Sequence, residues 1–153
     1  MALKLGTFQA QSLVTAGTIY FLIVLGGFVS STGSGLACPD WPLCNGEFVP
    51  TLTPPVLIEF THRIWASVVT IFVVATMILA WRKYRWPHRI TALATLTFIL
   101  LLNQVLLGMV TVQSGTEPIV VTAHLALATF IFATALSASV ISIAHAPREV
   151  KPN

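Results

Sequence analysis

Long apolar blocks broken by short polar stretches set the pattern of this chain. No Asp, Glu, Lys or Arg occurs between Lys4 and Asp40, between Arg63 and Arg82, between Arg89 and Glu117, or between Glu117 and Arg148. A helix needs about 20 residues to cross the roughly 30 Å hydrocarbon core of a bilayer. The intervals therefore predict four transmembrane helices, at about 11–31, 56–81, 90–111 and 119–144. Pro54-Pro55, Pro87 and Pro118 fall at or near the starts of the last three, where the missing N–H of proline is tolerated. The expected fold is all-α and integral to the membrane: an up-down bundle of four helices, one domain over 1–153, with a long connection at 32–55. The first span reads as a helix rather than a cleaved signal, because its apolar run is longer than a signal peptide uses.

Composition supports this reading. The chain is 56% hydrophobic and 8% charged, against roughly 25% charged in soluble domains. Its net charge of +3 does not point to nucleic acid, because the eight Lys and Arg are not clustered for that role. Their placement sets topology instead. Lys4 precedes the first span, Arg82, Lys83, Arg85 and Arg89 fill the second connection, and Arg148 and Lys151 follow the last span. The positive-inside rule then puts both termini and the 82–89 loop in the cytoplasm. The protein is expected to be multi-pass in the cell (plasma) membrane, with loop 32–55 extracytoplasmic. Trp81 and Trp86 fall where an inner aromatic belt belongs.

The outer loop holds the only two cysteines, Cys38 and Cys44, around Pro39-Asp40-Trp41-Pro42. An extracytoplasmic compartment favours disulfides, and the two prolines favour a tight turn that brings the thiols together. Two readings stand: a structural staple, or a pair that handles redox equivalents or substrate. A metal site lacks further soft ligands in that loop.

Of four histidines, His88 and His145 fall at the inner interface and carry no assigned chemistry. His62 and His124 each lie about six residues into helices that run in the same direction. In an up-down bundle the second and fourth helices are diagonal, so the two imidazoles face each other at one depth, as a bis-histidine haem requires. Ala66 and Ala128 follow one turn inward on the same faces and leave room for a macrocycle. The plainer alternative is two interfacial histidines bonded to water or backbone. Glu59 shares a face with His62 and pairs by spacing with Arg63. That pair is either an interfacial ion pair or a working one, with Glu59 moving protons and Arg63 neutralising a haem propionate. A faint repeat relates residues 27–35, "GFVSSTGSG", to residues 108–115, "GMVTVQSG".

These residues together resemble the haem A synthase family. The resemblance rests on "GGFVSSTGSGLACPDWPLCNG" (26–46), "EFTHR" (59–63), "TVQSG" (111–115) and "TAHLALA" (122–128). It implies oxidation of a methyl group of haem O to the formyl group of haem A, for use by terminal oxidases. It implies His62 and His124 as axial ligands of the haem iron, Glu59 as the catalytic carboxylate, and a Cys38–Cys44 pair in the outer loop. It also implies haem B as cofactor beside haem O as substrate and haem A as product. Most family members carry two fused four-helix halves with a histidine pair in each, whereas this chain shows one pair. A two-fold homodimer is therefore expected, surrounded by membrane lipid, with haem O synthase and an unidentified electron acceptor as partners and no nucleic acid. The chief rival is a bis-histidine four-helix cytochrome b that carries electrons without altering the porphyrin. It leaves Glu59 and the cysteine loop without a purpose. A thiol oxidoreductase or a non-catalytic assembly subunit would leave the histidine pair unexplained.

Overall fold

In a computed structural model, which describes residues 5–145, four long helices follow one another. They are α1 (Thr7–Ser31), α2 (Pro54–Lys83), α3 (Arg89–Gln113) and α4 (Pro118–Ala144). All four are long and apolar enough to cross a membrane. Even the shorter ones, at 25 residues and 1.5 Å per residue, exceed the roughly 30 Å hydrocarbon core. The four expected spans are all present, each somewhat longer than expected. Lys4, Arg148 and Lys151 lie outside the described residues.

Local chemistry explains the helix starts. Pro54 and Pro118 each occupy the first helical turn, where no backbone N–H is needed. His88 caps α3: its Nδ1 accepts from the backbone N–H of Ile90 at 3.2 Å. At the same end, Trp81 and Trp86 stack with centroids 6.0 Å apart. His145 ends α4, its Nδ1 lying 2.8 Å from the Ile141 carbonyl.

Helix α1 packs on α2 and α4, and α3 packs on the same two, so α2 stands diagonally opposite α4. The buried positions repeat. Phe8, Ser12, Thr15 and Ile19 in α1 match Ile90, Ala94, Thr97 and Leu101 in α3. Val69, Val73, Thr76 and Ala80 in α2 match Ile131, Ala135, Ala138 and Ser142 in α4. The bundle is therefore two similar helical hairpins, α1–α2 and α3–α4, and the first carries the long loop as an insertion.

The repeat runs in a register one residue away from that expected. Gly26, not Gly27, corresponds to Gly108, and Gly33 corresponds to Gly115. The helix ends fix this. Thr32 N–H donates to the Phe28 carbonyl and Gly33 N–H to that of Ser30; Ser114 and Gly115 do the same to Val110 and Val112. Both closing glycines have left-handed φ, 66° and 70°, the conformation glycine adopts without strain.

The interior is layered. Ile19, Val69, Leu101 and Ile131, one from each helix, form a dry layer near mid-bundle. On the side of the basic 82–89 loop lie buried hydroxyls, with Thr15 2.7 Å from Thr76 and Thr97 2.9 Å from Thr134. On the other side the helices enclose a large cavity.

Candidate functional site

The cavity occupies about 1290 Å³ between the dry layer and the cysteine loop. Ordinary small-molecule sites span roughly 300–1,000 Å³, so this one suits an unusually bulky ligand. His62 from α2 and His124 from α4 both line it, as do Ala66 and Ala128. The diagonal arrangement expected for the two histidines is thus present.

The equal spacing from the helix starts expected for them is not present. Because α2 begins at Pro54, His62 lies eight residues past its helix start, against six for His124 after Pro118. Each ring instead packs against a glycine on a neighbouring helix. A Cβ on Gly26 would lie 3.2 Å from Cε1 of His62, and a Cβ on Gly108 would lie 3.2 Å from Cε1 of His124. Each imidazole fits against bare backbone, and the two glycines occupy equivalent places in the repeat. Any larger residue would push the ring into the cavity.

Nδ1 of each histidine is buried without a hydrogen-bond partner. Buried polar atoms are normally paired; each imidazole is held here by packing, with no hydrogen bond at Nδ1. A planar macrocycle of haem size fits this wall. The volume suffices, two imidazoles approach from diagonal helices, and small residues lie one turn inward. His62 and His124 are the residues that would hold its iron.

Glu59 and Arg63 line the outer part of the cavity. Arg63 Nε–H donates to Glu59 Oε1 at 2.7 Å. The rest of the guanidinium faces away from the cavity centre. Nη1 donates to the carbonyls of Asp40 and Leu43 at 2.8 and 2.9 Å, and Nη2 donates to that of Cys38 at 2.6 Å. Four of the five guanidinium hydrogens are therefore engaged within the protein. In this arrangement Arg63 is the anchor of the cysteine loop, and one hydrogen remains for any further acceptor.

The loop is built to receive it. Cys38 and Cys44 form a disulfide, buried against Val56 and Phe60 at the start of α2. Cys44 and Glu47 exchange backbone hydrogen bonds across Asn45-Gly46, whose φ values are 55° and 77°. This is the tight turn that an Asn-Gly pair favours. Asp40 closes it from below, with Oδ1 accepting from Asn45 N–H at 2.6 Å and Oδ2 from Gly46 N–H at 2.8 Å. The Gly46 N–H bond above all, then that of Asn45, holds the Asp40 carboxyl below the usual carboxylate range, against the opposing effect of desolvation. Trp41 and Pro42 project from the loop over the cavity.

Sequence reasoning missed three parts of this site. Gly26 and Gly108 could be found only through their contact with the histidines. Gln104 sits in an apolar run of α3, yet its side chain reaches His124 at 3.1 Å. Its polarity inside a predicted span was the one available signal.

Comparison with known proteins gives the family of the chain. The COX15-CtaA family profile, described as cytochrome oxidase assembly protein, matches residues 10–56 and 53–152. Proteins named heme A synthase are similar: 37% identical over 127 residues in Bacillus pumilus, and 35% in Bacillus cereus and Bacillus anthracis. In each case the match covers 82% of this chain and 41% of the relative.

Proposed function

Because the chain belongs to the COX15-CtaA family of cytochrome oxidase assembly proteins, we propose that it takes part in haem A synthesis by oxidising a methyl group of haem O to a formyl group. The observation that carries this reading is the pair His62 and His124, each seated on a glycine, in one cavity beneath a disulfide loop and a carboxylate. The chain spans about two fifths of the curated relatives' length, so substrate and activity are the reading proposed here.

In this account the bound haem supplies the redox-active macrocycle and the methyl group to be oxidised. His62 and His124, on diagonal helices, would hold it by its iron. The layer Ile19, Val69, Leu101 and Ile131 limits how deep it sits. Glu59 is the catalytic carboxylate. Converting methyl to formyl takes oxygen from water and releases protons, and Glu59 is the carboxylate within the cavity wall that can accept them. Arg63 keeps the Glu59 oxygen in place and ties it to the loop. Trp41 and Pro42 cover the outer face and restrict water there.

The assembly family and the four membrane-spanning helices support a place in the cell membrane, and the cluster Arg82, Lys83, Arg85 and Arg89 supports a cytoplasmic 82–89 loop with the cysteine loop outside. A second haem site, for haem B, would come from a second copy of the bundle in a homodimer. Haem O synthase would deliver the substrate, and a separate acceptor would take the electrons.

The test is Glu59→Gln. The variant should retain haem and the fold while unoxidised or half-oxidised haem accumulates. Full conversion by this variant would remove Glu59 from the mechanism.

A further inference from the structure

The two histidines are not equivalent, and Gln104 is what separates them. Its amide nitrogen lies 3.1 Å from the carbonyl oxygen of His124, which can only accept, so that end of the amide is the donor. The same nitrogen lies 3.1 Å from Nε2 of His124. Nε2 is therefore the acceptor, and the ring proton belongs on Nδ1. In the hairpin repeat the counterpart of Gln104 is Leu22, which also lines the cavity and offers His62 no donor. Oε1 of Gln104 is itself buried without a partner.

The lone pair that Gln104 holds is the one a haem iron needs. We propose that Gln104 is a positioning residue that competes with iron for His124 Nε2, making His124 the exchangeable haem ligand and His62 the permanent one. This inference rests on the haem-binding reading above. When His124 ligates, the N–H···Nε2 hydrogen bond breaks as the iron–nitrogen bond forms. When it leaves, the hydrogen bond is restored and one axial position opens beside the amide. Oε1 of Gln104, buried without a partner, is then an acceptor available to a small polar ligand there. Two permanent imidazoles would close the iron completely; an unequal pair leaves it a way to open.

The test uses the full chain loaded with haem B and read by absorption spectroscopy, with carbon monoxide as the probe for an exchangeable axial position. The wild type should bind carbon monoxide. Gln104→Leu, which copies the other hairpin, should bind it about 2- to 12-fold more weakly, as loss of one ordinary hydrogen bond predicts. Leu22→Gln should strengthen it by a similar factor by loosening His62. His124→Ala should keep haem as a five-coordinate species, whereas His62→Ala should lose most of it. Unchanged carbon monoxide affinity in both Gln104→Leu and Leu22→Gln would overturn the proposal, as would haem retention by His62→Ala but not His124→Ala. A wild-type chain that takes up no haem would instead overturn the haem-binding reading itself.

Discussion

Gly26 presents bare backbone to the imidazole of His62, so closely that a single added carbon would stand 3.2 Å from Cε1. Gly108 stands in the same relation to His124. The two contacts seat each ring against bare backbone in the cavity wall. Gly26→Val and Gly108→Val should therefore each lower haem affinity by about tenfold or more, from overpacking that costs about 1–3 kcal/mol. Gly17, where an added Cβ would meet nothing within 4 Å, is the control: Gly17→Ala should keep haem and raise stability by roughly 0.4–1 kcal/mol. Haem titration of the purified variants, followed by absorbance, distinguishes them.

Arg63 binds three carbonyls of the disulfide loop and one oxygen of Glu59. Removing it strands a buried carboxylate, a change that costs about 3–5 kcal/mol where a buried pair is broken. Arg63→Ala should lower the melting temperature and speed amide exchange across residues 38–47. Arg63→Lys should recover only part of this, because an ammonium cannot match the planar fork. Equal exchange rates in wild type and Arg63→Ala would show that the loop is held by other contacts.

The disulfide closes a short ring with a sequence separation of 6. On the chain-entropy account such a ring contributes about 2–3 kcal/mol. The double change Cys38→Ser, Cys44→Ser should lose about that much, measured by unfolding in detergent. Haem binding should survive in that variant if the bridge is a staple; loss of haem oxidation with haem retained would point to a direct part in the chemistry.

Acid should loosen the loop before the bundle. The Asp40 carboxyl, held below its usual value by Gly46 and Asn45, is more acidic folded than unfolded. Its contribution is therefore complete above the ordinary value of 3.8 that it has unfolded, and is lost as the pH falls through the lower folded one. Amide exchange at Asn45 and Gly46 should be pH-insensitive in its protection from neutrality down to that range, then lose protection below it. Asp40→Asn should abolish the transition.

How much of this was legible in the sequence follows from what each feature depends on. The spans were legible because charge is costly in the bilayer core, so long stretches without Asp, Glu, Lys or Arg mark α1, α3, α4 and the part of α2 beyond Arg63. His62 and His124 were legible because helix direction and diagonal packing bring them to one cavity. The starts of α2 and α4 shifted by one or two residues, since Pro54 and Pro118 enter the first turn, and α1 begins four residues earlier than expected, at Thr7. The surroundings of the histidines were not legible. Gly26, Gly108 and Gln104 act across helices, and nothing in their own stretch of chain names the partner. Arg63 shows the same limit: its spacing to Glu59 was visible, but its three loop carbonyls depend on how residues 38–43 fold back over α2.

The central claim is that this cavity oxidises haem O. The most direct measurement is mass analysis of haem extracted from membranes that contain this protein together with a haem O synthase. The account predicts haem A, or its hydroxylated intermediate, only when this protein is present, and its loss in Glu59→Gln. Haem O left unchanged, with haem B bound through His62 and His124, would contradict the account and make the protein an electron-carrying cytochrome.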